Sequence, residues 1–234
     1  MTVCTIQSRL RELANEQNAE TARRFFKTGP GEYGEGDRFI GIRVPVLRKL
    51  AKEFQAITVE QAERLLKSPI HEARLLALFI LIHIYRSGKE AVKKQIYTVY
   101  LNNTGFINNW DLVDVSAEHI VGNFLLNRGK RPLFKLAESD DLWERRISII
   151  ATLCFIKRGK FAETLKIAKI LLNDRQDLIH KAVGWMLREV GKRDLPTEEA
   201  FLKEHYKEMP RTMLRYAIEK FPELKRQHYL KGRI

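Results

Sequence analysis

The chain has 234 residues, with 42 Lys+Arg against 29 Asp+Glu, so its formal net charge is +13; 44% of residues are hydrophobic and 30% are charged. That balance belongs to a folded globular chain rather than a disordered one, and the length provides for a sizeable core. No apolar run approaches the roughly 20 residues of a membrane-spanning helix, since the longest, Leu75 to Ile84, is short and carries His83.

The elements read in chain order as helices. The N-terminal MTVCTIQSRLREL lacks the basic-then-apolar layout of a secretory signal, so a cytoplasmic protein is expected. Ile6, Leu10, Leu13 and Ala14 make the apolar stripe of a first helix. Residues 28–37 read TGPGEYGEGD, and Gly29-Pro30-Gly31-Glu32-Tyr33-Gly34 matches G-x-G-x-x-G letter by letter. A dinucleotide loop is rejected, because no strand precedes it, Pro30 and Glu32 sit inside it, and its acids would repel phosphate. Residues 28–38 read instead as a mobile Gly-rich loop between N-terminal helices, within a single domain over 1–234. Pro45 and Pro69 suit first helical turns. Thr58 opens T-V-E-Q, a capping box with Gln61. Leu65, Leu66, Leu75, Leu76, Phe79 and Ile80 span a helix pair, and Gly88, Gly129, Gly159 and Gly191 suit C′ positions. Period-2 alternation is nearly absent, so no sheet is expected.

A weak repeat organises these helices. Five similar helix starts end at Arg74 (PIHEAR), Trp110 (INNW), Arg146 (DLWERR), Lys181 (DLIHK) and Arg215 (MPRTMLR), spaced by 36, 36, 35 and 34 residues. Periods of this size holding two helices each indicate an all-α solenoid, and the missing W-x2-L-G pattern favours HEAT-like over tetratricopeptide repeats. Four of these anchors are basic, and Arg43, Arg145, Arg188 and Arg211 lie close by. A cation returning at one helix turn per repeat would stripe the concave face and fit a phosphate backbone. The same cations could instead pair with acids between repeats, with Glu72, Glu144 and Glu189 as candidates.

Chemistry-bearing motifs are few. Cys4 and Cys154 lie far apart with no CxxC, and six histidines are scattered without HExxH or zinc spacing; no metal site is expected. No G-x-S-x-G seats a serine nucleophile. In Asn108-Asn109-Trp110-Asp111-Leu112-Val113-Asp114, Trp110 and Asp114 share one helix face, while Asp111 points elsewhere. An indole beside a carboxylate can seat a flat cation, but the spacing alone favours an ordinary repeat helix, with Trp110 in the core and Asp114 capping or pairing with a basic neighbour. Gly184 before Trp185 costs roughly 1 kcal/mol inside a helix, which points to a close approach, by a ligand or by another helix. Trp143 is expected to pack against its preceding turn.

The stretches FIGIRVPVLRKLAK (39–52), NNWDLVDVSA (108–117), LWERRISIIAT (142–152), DLIHKAVGWMLREVGKRD (177–194) and MPRTMLRYAIEKF (209–221) resemble, in order, the bacterial HEAT-like-repeat DNA alkylation-repair proteins, the AlkD family of DNA glycosylases. The resemblance implies a solenoid clasping duplex DNA on a basic concave face, and excision of cationic alkylated purines of the 3-methyladenine and 7-methylguanine type without metal or cofactor. By motif, Trp110 and Asp114 look like the family's cleft aromatic and carboxylate, Trp185 like its second cleft tryptophan and Arg146 like its cleft arginine. Arg43, Arg74, Arg145, Lys181, Arg188, Arg211 and Arg215 are the expected DNA-binding cations. The partner is then alkylated duplex DNA, with no membrane and no obligate protein partner, and a monomer is expected. Two departures stand out. Asp177 and Leu178 precede the I-x-K-A-x-G-W motif where active relatives can carry aromatics, and the 28–37 loop is longer and more acidic than the family core requires. A non-catalytic binder of branched or damaged DNA and a helical scaffold for an acidic protein are the alternatives.

Overall fold

The computed structural model describes residues 3–234; Met1 and Thr2, the first residues of the segment read for a secretory signal, lie outside it. Among the described residues there is no β-strand, and the one extended pairing is an isolated parallel bridge between Arg38 and Ile70. No helix among them is long and apolar enough to cross a membrane. The described residues form two compact units, 3–116 and 117–234.

The first unit holds α1 (Val3–Glu12), α2 (Glu16–Phe25), α3 (Val44–Glu53), α4 (Val59–Leu66), α5 (His71–Ser87), α6 (Glu90–Asn102) and α7 (Trp110–Ser116). The apolar run read in the sequence lies within α5, which is buried on all sides from His71 to Ile82, as expected where residues 75–82 offer no polar face. Helices α3, α4, α6 and α7 pack against it. The Thr58–Gln61 capping box forms with both of its hydrogen bonds and starts α4. Pro45 lies in the first turn of α3 as expected, but Pro69 falls two residues ahead of α5, whose N-cap is Ile70. α1 stops at Glu12, short of Leu13 and Ala14, while Ile6 and Leu10 are its buried stripe.

Two features tie the early loops to α5. Residues 28–37 are a hydrogen-bonded run of turns, closed by Gly34 N–H to the Lys27 carbonyl and Asp37 N–H to the Gly34 carbonyl. The acids of this loop act as internal acceptors: Glu32 takes the Gly29 N–H and Glu35 the Gly31 N–H, both at 2.9 Å. Further on, the buried Glu72 carboxylate accepts the backbone N–H groups of Ile40, Gly41 and Ile42. Gly41 is left-handed at φ 79°, and a Cβ there would lie 2.0 Å from the Asn15 carbonyl oxygen, so only glycine fits.

The second unit opens with a π-helical turn (Glu118–Gly122), followed by α8 (Asn123–Leu125), α9 (Arg131–Ala137), α10 (Leu142–Ala151), α11 (Leu153–Ile156), α12 (Ala162–Ile170), α13 (Asp177–Gly191), α14 (Leu195–His205), α15 (Arg211–Ala217) and α16 (Glu223–Leu230). α13 is the central helix, packed on α10, α12, α14 and α15. Its Gly184 resolves the close approach read in the sequence. A Cβ there would lie 2.4 Å from the Met213 carbonyl oxygen and 2.5 Å from Tyr216 Cβ, so the neighbour is helix α15. Of the four glycines read as C′ residues, Gly159 takes the left-handed conformation (φ 68°), Gly88 ends α5 at φ −74°, and Gly191 is the last residue of α13. Trp143 is buried in the first turn of α10. Cys4 is exposed and Cys154 buried, both as free thiols.

The repeat read in the sequence coincides with helix starts. Positions 74, 110, 146, 181 and 215 all fall within the first five residues of α5, α7, α10, α13 and α15.

Candidate functional site

In the first unit, three segments far apart in sequence converge on one buried charge network. The loop that ends at Asp37, the first turn of α5 and the first turn of α7 supply Asp37, His71, Arg74 and Asp111. His71 Nδ1 lies 2.8 Å from Asp37 and its Nε2 lies 2.8 Å from Asp111. Both partners are carboxylates, so both ring nitrogens must donate and His71 is an imidazolium. Burial opposes that charge, but the hydrogen bonds and charges of Asp111 and Asp37 override it and push the histidine up to about 9. Arg74 donates to Asp37 at 2.7 Å, to Asn108 at 3.2 Å and to the Ser68 carbonyl at 3.2 Å. Burial would raise Asp37, yet His71 and Arg74 together hold it below the ordinary carboxylate range.

An aromatic cluster covers this network. Phe39 stacks on His71 with centroids 4.3 Å apart, and Phe26 stacks on Phe39 at 4.9 Å. Trp110 continues the series, stacked on Phe26 at 5.4 Å and edge-on to Phe25 at 5.9 Å. The side chain of Asn109 caps α7 by accepting the Trp110 N–H. Trp110 and Asp114 are both half-buried, one turn apart on α7. The charge of Asp114 is felt at Tyr100, whose hydroxyl burial has already pushed up.

In the second unit, Arg146 is buried and donates to the Leu178 carbonyl, joining α10 to the first turn of α13. Trp185 is half-buried two turns along α13.

The expected DNA-binding cations divide by environment. Arg43 and Arg215 are exposed. Arg211 is exposed and donates to the Leu230 carbonyl at 2.7 Å. Arg74, expected as a phosphate contact, is instead buried and bound to Asp37, because the fourth residue of α5 faces the unit's interior. Arg145 pairs with Asp174 at 2.6 Å and also donates to the Ser139 and Asp140 carbonyls. Lys181 pairs with Asp177 at 2.8 Å, and Arg188 pairs with Glu219. Pairing with acids is therefore common, but with acids other than those expected. Glu72 binds backbone, Glu144 accepts from Ser139, and Glu189 pairs with Lys192 and Arg193 just past the end of its helix.

Sequence reasoning missed His71, Asp37 and Asp111. A signal existed in PIHEAR, where His71 and Arg74 at i and i+3 share a face, and in Asp111, which does point away from Asp114. Nothing local marks Asp37 as their partner. Among the described residues no group of three or more His, Cys, Asp or Glu side chains could hold a metal ion.

This all-α architecture of paired helices is that of HEAT-like repeat proteins. The sequence matches the DNA alkylation repair enzyme family over residues 6–221, and the chain belongs to that family. No curated protein matches the sequence. Among solved structures, a predicted DNA alkylation repair enzyme from Enterococcus faecalis superposes with a TM-score of 0.68 at 16% identity, covering 90% of this chain and 97% of its own. A member of a family related to the HEAT-like repeat DNA glycosylases, with affinity for branched DNA structures, gives 0.61 at 15% identity, covering 100% and 96%. AlkD2 from Streptococcus mutans gives 0.55 at 18% identity, covering 89% and 99%. At such identities these likenesses speak to the fold.

Proposed function

We propose that this DNA alkylation-repair protein is a glycosylase that releases cationic alkylated purines from duplex DNA. The observation that carries this reading is the pair formed by Trp110 and Asp114, an indole and a carboxylate one turn apart on α7, both only half-buried. An N3- or N7-alkylated purine is already positively charged, so its glycosidic bond is weak and needs little acid assistance. As the C1′–N bond breaks, its electron pair neutralises the departing base and positive charge passes to the sugar. The Asp114 carboxylate stabilises that oxocarbenium-like centre and orients the water whose oxygen bonds to C1′, the released proton passing to the carboxylate or to solvent. The indole face of Trp110 contacts the deoxyribose. Arg43, Arg211 and Arg215 contact the DNA backbone. No metal or cofactor takes part in this scheme.

A second reading, binding of branched or damaged DNA without excision, has its own support. Asp177 and Leu178 stand where active relatives can carry aromatics, and Asp177 is engaged with Lys181. One experiment separates the two. Purified protein is incubated with duplex DNA carrying 7-methylguanine and 3-methyladenine, and the free base is measured. Wild type is expected to release base, and Asp114→Asn to release it at least about tenfold more slowly with little change in DNA binding. Equal release by the variant removes the role of Asp114; no release by wild type, with DNA binding intact, leaves the non-catalytic reading.

A further inference from the structure

The helix that carries Trp110 and Asp114 is only seven residues long, Trp110–Ser116. A helix so short has little stability of its own and is held by what it packs against. Its first turn is held by the buried network around His71. Asp111, between the two site residues, accepts from His71 Nε2 at 2.8 Å, and its other carboxylate oxygen is buried without a partner. His71 Nδ1 binds the same Asp37 oxygen, Oδ2, that accepts from Asn109 at 3.4 Å, and the Asn109 side-chain oxygen in turn caps the Trp110 N–H at 2.8 Å. A second route runs through rings: His71 stacks on Phe39, Phe39 on Phe26 and Phe26 on Trp110, with centroids 4.3, 4.9 and 5.4 Å apart.

We propose that His71, clamped between Asp37 and Asp111, is the positioning residue that fixes α7 and so aims Trp110 and Asp114. For its chemical consequence this rests on the excision reading; the placement of α7 is tested without it. Both clamps need both ring N–H groups. Loss of the proton leaves one carboxylate facing a bare ring nitrogen, and either one leads to α7: Asp111 directly, Asp37 through Asn109. The other charged groups nearby do not replace the clamp. Glu72 is occupied by the N–H groups of residues 40–42, and Arg74 by Asp37. Arg43, ahead of α3, is exposed, and Asp114 lies a turn further along α7. Arg38 is exposed and meets His71 through its carbonyl, which accepts the His71 N–H at 2.8 Å, and from beyond α2 the neighbour is the uncharged ring of Phe26.

The first test needs no substrate. The full chain is followed by NMR from pH 7 to 10 through the His71 ring and the tryptophan indole N–H signals, with Trp110 assigned by Trp110→Phe and Trp143 and Trp185 as references for general effects of pH. The Trp110 signal is expected to move with the midpoint of the His71 ring, near 9. In Asp111→Asn the amide oxygen still accepts from Nε2 but carries no charge, so both midpoints are expected to fall together by about one unit or more. A Trp110 signal that stays put while His71 titrates, or midpoints that part in the variant, would overturn the proposal.

The second test is single-turnover base release from methylated duplex at saturating protein over the same range. Excision needs Asp114 as a carboxylate, a form that rising pH does not remove, so an alkaline fall in rate reports another group. That fall is expected at the midpoint seen by NMR, and lower in Asp111→Asn by the same shift. His71→Gln is expected to slow release at pH 7 by about tenfold or more while DNA affinity stays within about twofold, the mark of misplaced groups rather than lost binding; should it fail to fold, Asp111→Asn carries the test. An alkaline fall indifferent to Asp111→Asn, or a loss confined to DNA affinity, would count against His71 as a positioning residue. No release by wild type at any pH removes the excision reading alone, and the NMR titration still decides whether His71 fixes α7.

Discussion

His71 holds a positive charge where burial alone would remove it, and that has a consequence for stability. Its folded value of about 9 lies above the ordinary 6.5, so the folded state binds the proton more tightly than the unfolded chain. The resulting stabilisation, on the order of 3 kcal/mol, is fully present below pH 6.5 and is lost as pH rises through about 9. Asp37 acts in the opposite sense. Held low by His71 and Arg74, it contributes above the ordinary carboxylate range and loses that contribution as pH falls through its folded value. In the second unit Glu198 is buried, with one oxygen unpartnered, and burial pushes it up to about 8 with help from Glu199. A glutamate raised in this way makes folding less favourable as pH climbs from 4.5 to about 8, so it would overlap the signal of His71. In a Glu198→Gln background, urea unfolding is expected to show stability still falling between neutral pH and about 9. A flat profile there, or a His71 ring that titrates near its ordinary value by NMR, would show that the two carboxylates do not hold the proton.

At the scale of elements, the two central helices differ in how readable they are. α5 announces itself through an unbroken apolar run, and the Thr58–Gln61 box ahead of α4 is a local hydrogen-bond pattern with a residue signature. Gly184 in α13 is readable only in part. Its cost within a helix says that something comes close, but not what. The α13–α15 contact supplies the answer. Gly184→Ala would gain about 1 kcal/mol of helix propensity, but its methyl would meet the Met213 carbonyl and Tyr216 Cβ, both backbone-anchored. Overpacking of this kind typically costs about 1–3 kcal/mol, so the variant is expected to unfold at lower urea with an unchanged m value. A stability gain would mean that α15 yields freely.

For the molecule as a whole, the expected DNA-binding cations are not equivalent, because Arg74, Arg145, Lys181 and Arg188 pair with acids within their own units while Arg43, Arg211 and Arg215 are exposed. DNA binding should follow a linear dependence of log K on log salt, with a slope of several phosphates at roughly 0.9 per contact. Arg215→Ala is expected to lower that slope by about one and to weaken binding evenly across sequences. Arg74→Ala is expected to leave the slope unchanged and to destabilise the first unit, since it strips a buried carboxylate of its partner. A flat salt dependence would point to a protein partner instead.

What the sequence by itself determined is what depends on neighbours along the chain: helical periodicity, the capping box, the repeat spacing near 35 and the absence of strands among the described residues. Those follow from local hydrogen bonding and from the spacing of apolar residues. The family was legible too, because its motifs keep their order over most of the chain. What only the tertiary structure decided is which charged residues face inward and whom they meet. Asp37, His71 and Asp111 are separated by 34 and 40 residues, and their pairing depends on how the 28–37 turns fold back onto α5. The same holds for Arg74. One basic residue per repeat looks alike at every anchor in the sequence, but its energy is set by its surroundings: a guanidinium in water is a phosphate ligand, and one buried beside an aspartate holds the fold together.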